Sequence, residues 1–274
     1  MKKFAILGYD TINIGDDIQS YVTSTLIKPS YIINRDDYEK VYSYETGELI
    51  ELTEEVNLIM NGWFMHGPKW NSRGKPITGL KFPIKNNLIN PIFISTCLSK
   101  DCNELFNEES INYLNKYTPI LCRDITTLEM LKSKNVDSEY SGCLTQLLNI
   151  DNVPDDEEYR EKYSESTFFV HGNDLQKFSN IKINSPEKHF VINHYIDELK
   201  SVNIKERLDA AEDLLMQYKY AKKIYTTRLH CFLPCRAMGL DVEYIGDSCY
   251  RTKDLISKET DVNQLLKTFE NKIK

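Results

Sequence analysis

Short apolar runs alternate with amphipathic stretches along most of this chain. The runs Phe4–Leu7, Tyr31–Ile33, Val56–Met60, Pro91–Thr96, Pro119–Cys122, Thr167–Val170, Phe190–His194, Lys223–Thr226 and Val242–Ile245 have the length and β-branched or aromatic content of buried strands. Between them lie stretches of helical period. One runs from Asp16 or Asp17 through Ile18, Tyr21, Val22 and Leu26 until Pro29 stops it. Others cover Glu108–Tyr117, Thr126 or Thr127 to Asn135, Lys205–Tyr220, Leu229–Gly239 and Val262–Ile273. Ser138–Ser141 reads as a further short extended piece. Repeated strand–helix pairs predict an α/β fold with mostly parallel sheets. The acidic stretch Asn149–Ser166 carries Pro154 and shows no clean period, so it reads as a link between two domains, 1–150 and 151–274, with a cleft between them. The chain shows no fixed-period repeat and no low-complexity tract.

Composition narrows the partners. The chain has 274 residues, 41% hydrophobic and 27% charged, as in ordinary globular proteins. A net charge of −7 argues against general binding to nucleic acid or anionic membranes, while leaving room for a local basic pocket. No apolar run approaches a membrane span, and Phe4–Leu7 reads as a strand rather than a signal peptide. The seven cysteines form no CxxC pair and sit mostly in apolar patterns, which predicts buried free thiols, a reducing cytoplasmic setting and no metal site.

Candidate chemistry gathers where strands end. Lys223–Thr226 is followed by Thr227, Arg228, Leu229 and His230, with a helical pattern opening there. A helix N-terminus at a strand end attracts anions through its unpaired N–H groups. Arg228 adds a planar fork for phosphate or carboxylate, and His230 a group that exchanges protons near neutral pH. An Arg–carboxylate pair with a packed histidine is the competing structural reading. Arg123, followed by Asp124 at the end of Pro119–Cys122, is a second anion candidate, and pairing with an acid is its alternative. The loop Gly8–Asp16 resembles a nucleotide-binding turn but lacks GxGxxG. Asp16 and Asp17 would repel a phosphate there, so this loop suits a neutral polyol. Asn61, Trp63 and His66 after Val56–Met60 form a group fit to line a sugar pocket, or a tryptophan that caps the core. His194 ends another strand.

Three stretches taken together resemble the polysaccharide pyruvyl transferase family: Asn13-Ile14-Gly15-Asp16, Cys122-Arg123-Asp124 with Leu128 and Leu131 behind it, and Thr227-Arg228-Leu229-His230 with Ala237 and Gly239. The resemblance covers most of residues 1–148 and about 205–247. Pro234, inside the helix after His230, departs from a regular helix, and 61–90 carries no transferable pattern. The resemblance implies two Rossmann-like domains facing across a cleft, as in GT-B glycosyltransferases. Residues 1–150 would form the acceptor side and 151–274 the donor side, with the last helix packed back on the first domain. It further implies transfer of pyruvate from phosphoenolpyruvate to sugar hydroxyls as a ketal, in glycan or surface polysaccharide biosynthesis, with no cofactor beyond the donor substrate. Its site residues would be His230 and Asp16 for catalysis, Arg228, Arg123, Thr227 and His194 for phosphoenolpyruvate, and Asn13, Asp17, Asn61 and Trp63 for the acceptor. A glycosyltransferase using a nucleotide-sugar and a non-catalytic carbohydrate-binding relative are the alternatives.

Overall fold

The computed structural model describes residues 2–64, 83–99, 106–181, 188–257 and 260–274. In chain order it forms β1 (Phe4–Gly8), α1 (Ile14–Leu26), β2 (Tyr31–Asn34), β3 (Val41–Ser43), β4 (Leu49–Ile50), β5 (Val56–Ile59) and β6 (Trp63–Phe64). Then come β7 (Ile89–Ile92), β8 (Cys97–Leu98), α2 (Glu108–Leu114), β9 (Ile120–Cys122), α3 (Ile125–Ser133) and β10 (Ser138–Tyr140). The rest is α4 (Glu157–Tyr163), β11 (Thr167–His171), β12 (His189–Asn193), α5 (Ile204–Lys219), β13 (Lys223–Thr226), α6 (Leu229–Ala237), β14 (Val242–Tyr244), α7 (Lys253–Ser257) and α8 (Val262–Ile273). The fold is mixed α/β with mostly parallel sheets.

Two compact units emerge, and neither is a continuous piece of chain. The first comprises Met1–Asp10, Ile27–Leu144 and Tyr250–Lys274; the second, Thr11–Leu26 and Thr145–Cys249. A single cut near residue 150 therefore does not describe them. The stretch expected to link domains is part of the second unit and contains α4, whose N-cap Asp156 accepts a bond from Tyr159 N. Its charged sequence hid this short helix.

In the first unit a six-stranded sheet has the order β4-β3-β2-β1-β5-β7. Strands β2, β1, β5 and β7 are parallel, and the β3–β4 hairpin adds an antiparallel edge. Ala5, Leu7, Leu58, Met60, Phe93 and Leu131 are all buried in its core. Leu265 and Phe269 of α8 are buried, and Lys272 Nζ donates to Pro119 O at 2.7 Å, which anchors the last helix within this unit.

The second unit carries the all-parallel sheet β12-β11-β13-β14. Helix α5 opens with a full capping box, Asn203 with Glu206. Helix α1 packs on α5 and α6, and its apolar stripe Ile14, Ile18, Tyr21 and Val22, spaced i, i+4, i+7, i+8, is 0–7% exposed. Chain 12–14 pairs with 194–196: Ile14 N donates to His194 O at 3.0 Å and Ile196 N to Ile12 O at 2.8 Å. This small ladder fixes the start of α1 at the carboxyl end of β12.

Candidate active site

The carboxyl ends of β12, β11 and β13 bring His194, His171 and Arg228 together in the second unit. Strand β13 stops because its next residues turn inward on side-chain bonds. Thr226 Oγ1 accepts from Arg228 N at 2.9 Å, and Thr227 Oγ1 donates to Asp174 at 2.8 Å. Arg228 is extended and is the N-cap of α6, with its carbonyl accepting from Cys231 N and Phe232 N. His230 lies in the first turn with non-helical φ −87° and ψ 16°. Pro234 stands four residues later, where its ring would strike the carbonyl of His230 in a regular helix. The proline expected to distort this helix thus sets the backbone of His230.

Arg228 is held on two sides. Its guanidinium lies 4.6 Å from the ring centroid of Tyr195, and Nη2 donates to Asn13 Oδ1 at 3.2 Å. Asn13 Oδ1 also accepts from Gly15 N at 3.2 Å, capping α1. The Asn13 side chain, expected to meet the acceptor, thus serves both a helix start and the arginine. His230 packs against the same turn: a Cβ built on Gly15 would lie 3.3 Å from His230 Cβ and 3.4 Å from Nδ1. Two helix N-termini, of α1 and α6, flank one fixed positive charge.

The histidines beside Arg228 are held neutral. His194 is fully buried, with Nε2 2.9 Å from Tyr218 Oη. Burial first, and then the charges of Arg228 and His171, hold its pKa well below 6.5. His171, 9% exposed, is lowered by burial and by Arg228 against the opposing pull of Asp174. The Nδ1 atoms of both are buried without a hydrogen bond among the described residues. Such a site sets a guanidinium beside two imidazoles that burial, more than that guanidinium, keeps uncharged.

Two carboxylates expected at this loop differ in role. Asp16 is 9% exposed and accepts from Thr11 Oγ1 at 2.9 Å. Asp17 is 1% exposed, with its two carboxylate oxygens on Arg207 at 3.0 and 2.8 Å. Burial pushes its carboxyl up to about 7 against the pull of that guanidinium. Arg207 also donates to Leu199 O and Thr11 O. Asp17 is therefore an interior tether of α1 rather than an acceptor contact, because a helix-start acid turned toward α5 meets a buried arginine.

The remaining expected residues belong to the first unit. Arg123 is 2% exposed among Cys97, Cys143 and Asp124. Burial disfavours its charge, but these neighbours outweigh that and keep it protonated. Asp124 caps α3, accepting from Thr127 N at 2.9 Å and Thr127 Oγ1 at 3.0 Å. Asn61 is buried, and Trp63 is half-buried with the Arg251 guanidinium 3.7 Å from its ring centroid. Arg35 forks onto Asp36 at 3.0 Å through each of Nε and Nη2, and lies over Tyr9. His66 lies outside the described residues.

Sequence reasoning missed His171, Gly172, Tyr195 and Arg251. Tyr195 adjoins His194 and His171 ends a strand, so strand-end position was the available signal for both. Nothing local marks Arg251 as a partner of Trp63, since that pairing joins distant segments.

A sequence model of the polysaccharide pyruvyl transferase family matches residues 13–239. The chain belongs to this family. The match spans Asn13, Arg123, Arg228 and His230, and ends on Gly239, whose φ of +78° is the left-handed turn that stops α6. Among curated proteins no match is found. Among solved structures, the chain is similar to the functionally uncharacterized protein KP1_0663 from Klebsiella pneumoniae subsp. pneumoniae NTUH-K2044. The two share 16% identity over 93% of this chain and 87% of that one, with a TM-score of 0.48. Among the described residues no helix is long and apolar enough to cross a membrane.

Proposed function

We propose that this transferase moves the pyruvyl group of phosphoenolpyruvate onto two hydroxyls of a sugar as a ketal, in cytoplasmic assembly of a glycan. The observation that carries the reading is Arg228, fixed by Asn13 and Tyr195 at the N-terminus of α6, with His230 two residues on. Phosphoenolpyruvate is a small dianion or trianion, and it suits a rigid guanidinium flanked by helix N–H groups. The donor set is Arg228, His230 and the α6 N-terminus, with Thr227 and His171 beside them. His194, being fully buried, supports this set from behind.

In the proposed chemistry His230 delivers a proton to the donor methylene carbon, making a methyl group and an oxocarbenium centre. A sugar hydroxyl adds to that centre and loses its proton, for which Asp16 is the base. The C–O bond to phosphate then breaks, and phosphate leaves with the bonding pair, its charge met by Arg228. A second hydroxyl adds to the oxocarbenium centre so re-formed and gives its proton to the departed phosphate, and the ketal and inorganic phosphate result.

The test is incubation with phosphoenolpyruvate and a panel of free, nucleotide-linked and lipid-linked sugars, following phosphate release and the ketal methyl signal by NMR. We expect both from the wild-type protein and neither from Arg228→Ala, with the circular dichroism spectrum unchanged. Thermal stabilisation by a nucleoside diphosphate but not by phosphoenolpyruvate would replace this reading with nucleotide-sugar glycosyl transfer.

A further inference from the structure

We infer that Gly172 is the positioning residue for Arg228, making space at the end of β11 in which the guanidinium lies. The inference rests on the reading of Arg228 as the donor's anion ligand. A Cβ built on Gly172 would stand 2.5 Å from Arg228 Nη1, 2.8 Å from Cζ and 3.1 Å from Nε. These three nearest atoms all belong to the one guanidinium, so what the missing side chain leaves room for is that group.

Conformation does not explain the glycine. Among the described residues the glycines with left-handed φ are Gly47, Gly142 and Gly239, and Gly172 is not among them. Its φ therefore does not itself call for glycine. Nor can the backbone step aside. Gly172 N donates to Asp174 Oδ1 at 2.9 Å, and the same oxygen accepts from Thr227 Oγ1 at 2.8 Å, beside Arg228. The preceding residue is locked in the sheet, with Val170 paired to Thr226 and His194 N donating to His171 O at 2.7 Å. Between a strand end held on both sides and the far end of a long side chain, the side chain yields.

An alanine at 172 would drive the guanidinium back by about 1 Å to reach ordinary contact distance. That movement displaces the group that donates to Asn13 at 3.2 Å and lies over the Tyr195 ring, so its fixed placement is lost. Gly172→Ala removes no polar group, so it reports position alone. A misplacement of about 1 Å in a substrate clamp costs on the order of a hundredfold.

The experiment has two arms. In the first, phosphoenolpyruvate binding and phosphate release are measured for the wild-type protein and Gly172→Ala. Half-saturation should rise at least tenfold, and the rate at saturating donor should fall by less. Failure of the wild-type protein to bind phosphoenolpyruvate would sink the donor reading while leaving the second arm to judge Gly172. In that arm, thermal midpoints are measured for Gly172→Ala, Arg228→Ala and the double variant. The alanine at 172 should lower the midpoint beside Arg228 and have no further effect in the Arg228→Ala background. If Gly172→Ala does not fold, the double variant should. An equal loss in both backgrounds, an unfolded double variant, or unchanged half-saturation in a wild-type protein that binds phosphoenolpyruvate would overturn the inference.

Discussion

At the scale of single residues, the site contrasts a fixed charge with bases that stay uncharged. Arg228 supplies the charge. His194 and His171 beside it are held below their ordinary value by burial and by that charge. The sign of the consequence follows from proton counting. Below about 6.5 the unfolded chain takes up protons that the folded chain refuses, so the histidines' contribution is whole above that pH and drains away as pH falls. Asp17 works in the opposite sense. Its carboxyl, raised from 3.8 to about 7, lets the folded chain hold a proton the unfolded chain has lost, which favours the fold as pH falls through that window. The two can be separated by comparison. Between pH 7 and pH 5 the urea midpoint of the wild-type protein should fall relative to that of His194→Gln, which keeps a hydrogen-bonding group toward Tyr218 and has no proton to gain. Parallel midpoints for the two proteins would remove His194 from the account.

At the scale of elements, the tether between α1 and α5 is the interaction whose loss should cost most. Asp17 and Arg207 are 1% and 2% exposed, so removing one partner strands a charge in the interior. Asp17→Ala should lose about 3–5 kcal/mol of unfolding free energy, whereas replacing Asp17 and Arg207 together by apolar residues of similar volume should lose far less. Urea unfolding of the single and double variants checks this, and equal losses would mean the pair is not coupled. The tether also shows what sequence pattern reveals. The apolar stripe of α1 was plain from its period, but the burial of every residue from Ile14 to Thr23, polar ones included, was not. That the acid next to the stripe meets an arginine 190 positions away was invisible. Most of the longer parallel strands were legible as apolar runs, although the run Pro91–Thr96 overlaps β7 (Ile89–Ile92) only at Pro91 and Ile92, while β3, β4, β6 and β8 are two or three residues long and carry no period. Arg228 and His230 stood out through the turn after β13. Gly172 and Tyr195 did not, since their meaning is a distance to Arg228 that only the neighbouring strand ends define.

At the scale of the whole molecule, the chain leaves the first unit at Thr11, returns at Ile27, leaves again at Thr145 and returns at Tyr250. Cutting between 150 and 151, where the charged stretch suggests a boundary, therefore takes α1 from the second unit and leaves it the first unit's tail. The cost is calculable in order of magnitude. Ile14, Ile18, Tyr21 and Val22 are 0–7% exposed, and α1 packs on α5 and α6. At roughly 1.5–3 kcal/mol for each buried apolar side chain, the four contribute about 6–12 kcal/mol. That matches the entire stability of a typical domain, about 5–15 kcal/mol. The cut also strands Arg207 without Asp17 and removes Asn13 from Arg228. A fragment of residues 151–274 should therefore give a poorly dispersed NMR spectrum and no cooperative melt. Residues 11–26 joined by a flexible linker ahead of 145–249 should restore both. Cooperative unfolding of the 151–274 fragment alone would show that α1 is dispensable to the unit that carries Arg228, and the arginine's support by Asn13 would then be an accessory rather than a condition of the fold.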